Sequence, residues 1–205
     1  MIRCRWTDTS SFAGYEVTIN EWSMYMNVAY RYLVSRAAVN PIGFHPFVDS
    51  LSHHLTTQDL LRSVKAPELK PNPSVLLVEG DFTTVFSNQQ GEYDVIVTHF
   101  FIDTARNLIS YLDTIHRLLK PGGFWINFGP LLYGTAPFGQ LSLDEIVSVV
   151  ESMGFEFLEI DEQCGNISLE GKKVRWREAE YGFNGKALTR NAYKAQAWVA
   201  RKAHP

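Results

Sequence analysis

Cysteine is scarce, with Cys4 and Cys164 the only two in 205 residues. So few exclude a disulfide-stapled scaffold and fit a reducing compartment, the cytoplasm or the nucleus. An excess of one charge is lacking as well, since 19 Lys+Arg face 22 Asp+Glu for a formal net charge of -3. The basic stretches near Lys172–Arg177 and Lys186–Arg190 read as mixed surface interrupted by Glu178 and Glu180, so no nucleic-acid partner is expected. No apolar run reaches the ~18 residues of a membrane span, and the opening MIRCRW is no signal peptide, so no membrane partner is expected either. Repeats and low-complexity tracts are absent. What remains is 45% hydrophobic and 13% aromatic, an ordinary globular composition expected to form a single domain over residues 1–205.

The order of elements points to an α/β fold. Tyr15 to Ile19 (YEVTI) predicts a strand, and the helix after it would turn Trp22, Tyr25, Met26, Ala29 and Leu33 to one side, with Glu21 in its first turn. Residues 40–73 form a long connection with a short helix around Gln58–Val64, closed by Pro67, Pro71 and Pro73 before the strand SVLLVEGDF. Tyr93 to Thr98 predicts the next strand. The helix after Asp103 places Leu108, Ile109, Leu112, Ile115 and Leu119 on one stripe, and Lys120-Pro121-Gly122-Gly123 stops it. Phe124 to Phe128 is then a strand. Ser142 and Glu145 read as a capping box for a helix with Ile146, Val149, Val150 and Met153 inward and Gly154 at its end. Strands at Phe155 to Ile160 and Ala195 to Ala200 complete the pattern.

Such alternation predicts a parallel sheet with helices on both faces, and ligands of such sheets bind beyond the carboxyl ends of the strands. The positions to inspect are Asn20-Glu21, Gly80-Asp81-Phe82, His99 to Asp103 and Asn127 to Tyr133. His45, Asp49 and His53 have a spacing that metal ligands use, but the stretch matches no zinc motif and reads as solvated polar residues of a connection, so no metal is expected.

The run HFFIDTARNLISYLDTIHRLLKPGGFWINFGPLLYG resembles the signature region of the carnosine N-methyltransferase family, as does NEWSMYMN upstream. The family pattern runs FFIDTA, then LKPGG-x-WIN-x-GPLLY, and a weaker likeness extends from about Gly14 to Arg201. The resemblance implies an α/β, Rossmann-like class I methyltransferase sheet and S-adenosyl-L-methionine as cofactor. It implies transfer of a methyl group to an imidazole nitrogen of a histidine-containing dipeptide or similar small molecule.

It also implies roles. Glu21 of the NEWS motif would accept hydrogen bonds from both ribose hydroxyls; its alternative is a first-turn glutamate favoured by the helix dipole. Asp81 would accept from the adenine amine and Phe82 stack on the purine, against a plain Asx turn. His99 falls at a cofactor-lining position where the family has a cysteine. Asp103 would hold one imidazole N–H and aim the other nitrogen's lone pair at the methyl group, against a role as cap of the following helix. Tyr193 matches a substrate-contacting tyrosine, with a core tyrosine as its alternative, and Tyr133 and Asn127 could line the pocket.

Two departures stand out. Gly134 replaces the histidine that follows GPLLY in the family and contacts substrate there, which places the substrate's identity in question. No G-x-G occurs anywhere, although methyltransferases of this class open with a strand and a glycine-rich loop. The sequence therefore reads as a C-terminal portion whose sheet lacks its first strand, between the strands near residues 15–19 and 93–98. Residues 2–6 (IRCRW) could fill part of that gap. Its open edges would invite oligomers, and a non-catalytic remnant or partner-binding subunit is the alternative to an enzyme.

Overall fold

A computed structural model describes residues 14–36, 43–49, 52–65, 73–134, 137–182 and 184–204. Cys4, Pro67 and Pro71, and the IRCRW segment, lie outside the described residues. The chain divides into two compact units, one running up to Val85 and including Gly182–Arg190, the other made of Phe86–Tyr181 and the residues from Asn191 on.

In the first unit β1 is Val17–Glu21 and is followed by helix α1, Met24–Arg36. The strand starts two residues later than the sequence pattern implies, which moves Glu21 out of any helical turn and onto the strand's last position. The inward side of α1 also differs from the expected stripe. Met26, Asn27, Tyr30, Leu33 and Val34 are the more buried positions, while Trp22 and Tyr25 are 68% and 81% exposed. Aromatic bulk pulled the expected face round by roughly one residue; helical spacing alone does not say which side meets the sheet. Strand β2 (Gly43–Phe44), helix α2 (Thr57–Leu61) and strand β3 (Val64–Lys65) follow. The Thr56 hydroxyl caps α2 by accepting from Asp59 N at 3.1 Å, and β2 and β3 pair antiparallel. Strand β4, Val75–Glu79, lies parallel to β1 with Val17 opposite Val75 and Glu21 opposite Glu79, and helix α3, Phe82–Val85, comes directly after it.

The second unit holds a larger sheet. Strand β5 is Tyr93–His99, helix α4 Leu108–Leu118, strand β6 Leu119–Gly129 and helix α5 Leu143–Ser152. Strands β7 (Phe155–Leu158), β8 (Asn166–Ile167), β9 (Arg175–Glu180) and β10 (Ala192–Lys202) complete it. The order is β5-β6-β10-β9-β8, with β7 also on β10. Only β5 and β6 run parallel there; β10 is antiparallel to β6, β7 and β9, so the sheet is mixed, where wholly parallel pairing was expected. Strand β9 escapes a sequence reading because RWREAE carries four charges in six residues and shows no apolar alternation.

Helix α4 buries Leu108, Leu112, Ile115 and Leu118 at helical spacing, and Ile109 faces out. The helix ends at Leu118, and β6 begins at the next residue, two positions before Pro121. Lys202 Nζ closes that corner, donating to the carbonyls of His116 at 2.7 Å and Leu119 at 2.9 Å. Helix α5 has the expected capping box: Glu145 Oε2 accepts from Ser142 N and Ser142 Oγ, both at 2.8 Å. Trp125 and Trp198 meet edge to face with centroids 5.3 Å apart in a core that also holds Leu119, Ile146 and Val150. Among the described residues no helix is long and apolar enough to cross a membrane.

Candidate functional site

In the first unit, Glu21 ends β1 and Asp81 follows β4 by two residues. The Glu21 carbonyl accepts from Gly80 N at 3.2 Å, extending the ladder, and also from Asn27 Nδ2 at 3.2 Å. Its carboxylate accepts from Ser23 N through Oε1 at 2.7 Å. Glu21 thus lies before the helix rather than in its first turn, and the dipole reading of that residue gives way to a carboxylate at a strand end. Ser23 Oγ accepts from Met26 N at 3.4 Å at the start of α1. Asp81 does form the Asx turn: Oδ1 accepts from Thr83 N at 2.8 Å and Thr83 Oγ1 at 2.7 Å, opening α3. Phe82 is buried, 8% exposed.

The ribose of S-adenosyl-L-methionine, the cofactor implied by the sequence resemblance, offers two hydroxyl donors. Among the described residues no donor reaches Oε2 of Glu21, so one carboxylate oxygen is available to accept at the end of β1. The fit is chemically sound there. Phe82 has little ring face exposed, so the structure offers the adenine more at the Asp81 turn than at the ring.

The second unit gathers an aromatic cluster at the carboxyl ends of β5 and β6. Parallel pairing places His99 opposite Phe128, with ring centroids 5.8 Å apart. Phe100 follows with φ of 50°, a left-handed conformation that a bulky residue rarely adopts and that recurs at functional sites. Its N–H donates to Phe128 O at 2.9 Å. The Phe100 ring stacks on Tyr181 at 5.8 Å and 15°, and meets Tyr193 edge-on at 6.3 Å. Tyr181 and Tyr193 are themselves 5.8 Å apart. Two expected residues, His99 and Tyr193, are therefore brought together; Phe100 and Phe128 lie in the strand-end stretches singled out from the sequence but had no role assigned there, and Tyr181 was missed. The double aromatic after a strand end was a signal for Phe100; Tyr181 had none, because β9 was not foreseen.

Asp103 sits in a single 3-10 turn, Ile102–Thr104, and does not cap α4. Asn107 does that, its Oδ1 accepting from Ser110 N at 3.4 Å. Burial raises the Asp103 carboxyl from 3.8 to about 6, against a smaller opposing hydrogen bond from its own N–H. Its carbonyl accepts from Gly134 N at 3.3 Å, which ties the turn to the loop after β6. Tyr133 in that loop donates to Leu141 O at 3.0 Å, and burial first, then the charge of Asp103, pushes its hydroxyl pKa up. An added Cβ at Gly134 would meet nothing within 4 Å.

Asn127 is enclosed in the sheet, with Oδ1 accepting from Thr98 Oγ1 at 2.8 Å and Nδ2 donating to Gln196 O at 3.2 Å; it supports the strands and does not line a pocket. His45 Nδ1 donates to the Leu61 carbonyl at 2.7 Å, and among the described residues no group of three His, Cys, Asp or Glu is arranged to hold a metal ion.

The profile of the family described as "Carnosine N-methyltransferase" matches residues 5–204. The mouse carnosine N-methyltransferase is 36% identical over 161 residues, covering 73% of this chain and 40% of that protein. The Dictyostelium discoideum carnosine N-methyltransferase is 33% identical over 198 residues, covering 90% of this chain and 39% of its own length. The chain thus spans about two-fifths of the curated relatives it matches. Among solved structures, TehB from Haemophilus influenzae superposes with a TM-score of 0.51 at 15% identity, over 92% of this chain and 50% of that one, a likeness of fold.

Proposed function

From the premise that this chain belongs to the carnosine N-methyltransferase family and shares the class I methyltransferase fold, we propose that it transfers a methyl group to an imidazole nitrogen of a histidine-containing dipeptide or similar small molecule. S-adenosyl-L-methionine is the cofactor that goes with this family and fold, and it supplies an electrophilic methyl group on a sulfonium sulfur. Glu21 holds the ribose hydroxyls and Asp81 the adenine amine; His99 is assigned a cofactor-lining role from its position at the end of β5. Tyr193 and Tyr133 contact the substrate.

The observation that carries the reading is Asp103, a half-buried carboxyl in the turn that follows β5, raised to about 6. At neutral pH it is ionised, so it accepts the imidazole N–H and fixes the tautomer. The other nitrogen keeps its lone pair and faces the methyl group. An imidazole that accepts the methyl group would become cationic, and the Asp103 carboxylate would take its N–H proton or stabilise it until solvent does. A carboxyl poised near 6 does this better than one near 4, because it is a stronger base while still charged. Little else is asked of the protein beyond alignment and exclusion of water. The aromatic faces of Phe100, Tyr181 and Tyr193 suit a flat ring that gains positive charge.

The test is methyl transfer to carnosine by the wild type and Asp103→Asn. Loss of at least about tenfold, equivalent to about 1.4 kcal/mol in the barrier, is expected. Equal turnover by the two would remove Asp103 from the reaction.

A further inference from the structure

Asn27 has no part in the reading above, yet it touches the residue on which the ribose contact rests. It lies on α1, is 3% exposed, and donates through Nδ2 to the Glu21 carbonyl at 3.2 Å. Its Oδ1 is buried and has no hydrogen-bond partner among the described residues. A buried acceptor left unmatched is a penalty that a leucine of similar volume would avoid. Packing therefore does not call for an amide at this position. Strand pairing does not call for it either, since Gly80 N already donates to the same carbonyl at 3.2 Å and ends the β1–β4 ladder.

What the amide adds is a tie from the last residue of β1 into α1, across the turn at Ser23. With Ser23 N donating to Oε1 at 2.7 Å, three bonds converge on Glu21, two on its carbonyl and one on its carboxylate. Fixing the main chain at residue 21 fixes the direction in which its carboxylate leaves the strand. We propose that Asn27 is a positioning residue that holds Glu21 so that its carboxylate accepts from the ribose hydroxyls. The inference rests on the ribose role of Glu21. It follows a common pattern in which local stability is given up where a site needs a fixed group.

The experiment uses the full chain as wild type, Asn27→Leu and Glu21→Gln. Each is melted thermally and titrated calorimetrically with S-adenosylhomocysteine and with its 2′-deoxy counterpart. Asn27→Leu should melt at the wild-type temperature or above, because the unmatched acceptor is gone. Its preference for the ribose ligand should fall about fivefold or more, with affinity for the deoxy ligand kept within about twofold. A lowered melting temperature, failure to fold, or equal weakening of both ligands would make Asn27 a scaffold residue and overturn the proposal. A ribose preference lost in Glu21→Gln but kept in Asn27→Leu overturns the Asn27 proposal alone. A wild type that binds neither ligand or shows no preference, or a Glu21→Gln that keeps it, overturns the ribose reading beneath it.

Discussion

Gly129 and Phe100 pack backbone against backbone: a Cβ on Gly129 would stand 3.0 Å from both N and Cα of Phe100. No flexible side chain can move aside to make room there. The glycine at the end of β6 thus permits the left-handed turn at Phe100, which in turn swings its ring onto Tyr181 and Tyr193. Gly129→Ala should push the two strand ends apart and cost about 1–3 kcal/mol, the usual range for overpacking. Urea denaturation of the two proteins measures it, and a variant as stable as wild type would show that the turn has slack.

Asp103 gives a pH signature. Its carboxyl titrates near 6 when folded and near 3.8 in its ordinary state, so between these values the folded chain binds more protons than the unfolded one. The contribution is fully present below the lower value and is lost as pH rises through the higher. Asp103→Asn has no such titration. The wild type should therefore lose stability relative to Asp103→Asn on going from about pH 4 to about pH 7. Paired thermal melts across that range check it; a constant difference would mean that burial does not hold the proton.

The helix that follows should respond at a different residue. Asn107→Ala removes the side chain that accepts from Ser110 N and should cost about 0.5–2 kcal/mol, whereas Asp103→Ala should cost α4 no cap. Chemical denaturation of both variants separates the roles. Destabilisation by Asp103→Ala matching that of Asn107→Ala would return Asp103 to the capping role that its position in the sequence first suggests.

That pair also shows where the sequence was legible. Repeating apolar positions located α4 and α5, and the Ser142–Glu145 box was readable because its two partners are three residues apart. Asp103 and Asn107 both precede the apolar stripe, and composition cannot choose between two capping residues four apart; the extra 3-10 turn decides it. Glu21, Asp81, His99 and Asp103 all fall at strand ends, where alternation said to look. The stacking of Phe100 on Tyr181 was out of reach, because it depends on β9, whose charged residues carry no strand pattern, and on a backbone conformation that phenylalanine seldom takes.

A last expectation concerns the polar network inside the sheet just before these strand ends. Thr98 Oγ1 accepts from Trp125 Nε1 at 2.8 Å and donates to Asn127 Oδ1 at 2.8 Å, and all three residues are buried. Thr98→Val preserves shape but removes the hydroxyl, leaving one buried donor and one buried acceptor unmatched at about 1–3 kcal/mol each. Thr98→Ser keeps the hydroxyl and gives up only a methyl group, about 1 kcal/mol. The valine variant should therefore be the less stable of the two by at least about 1 kcal/mol, although valine is the better strand former. Urea midpoints of the pair decide it. A valine variant equal to or above the serine one would mean that the indole and the amide find other partners once the hydroxyl is gone, and that the network follows the packing of the sheet instead of fixing it.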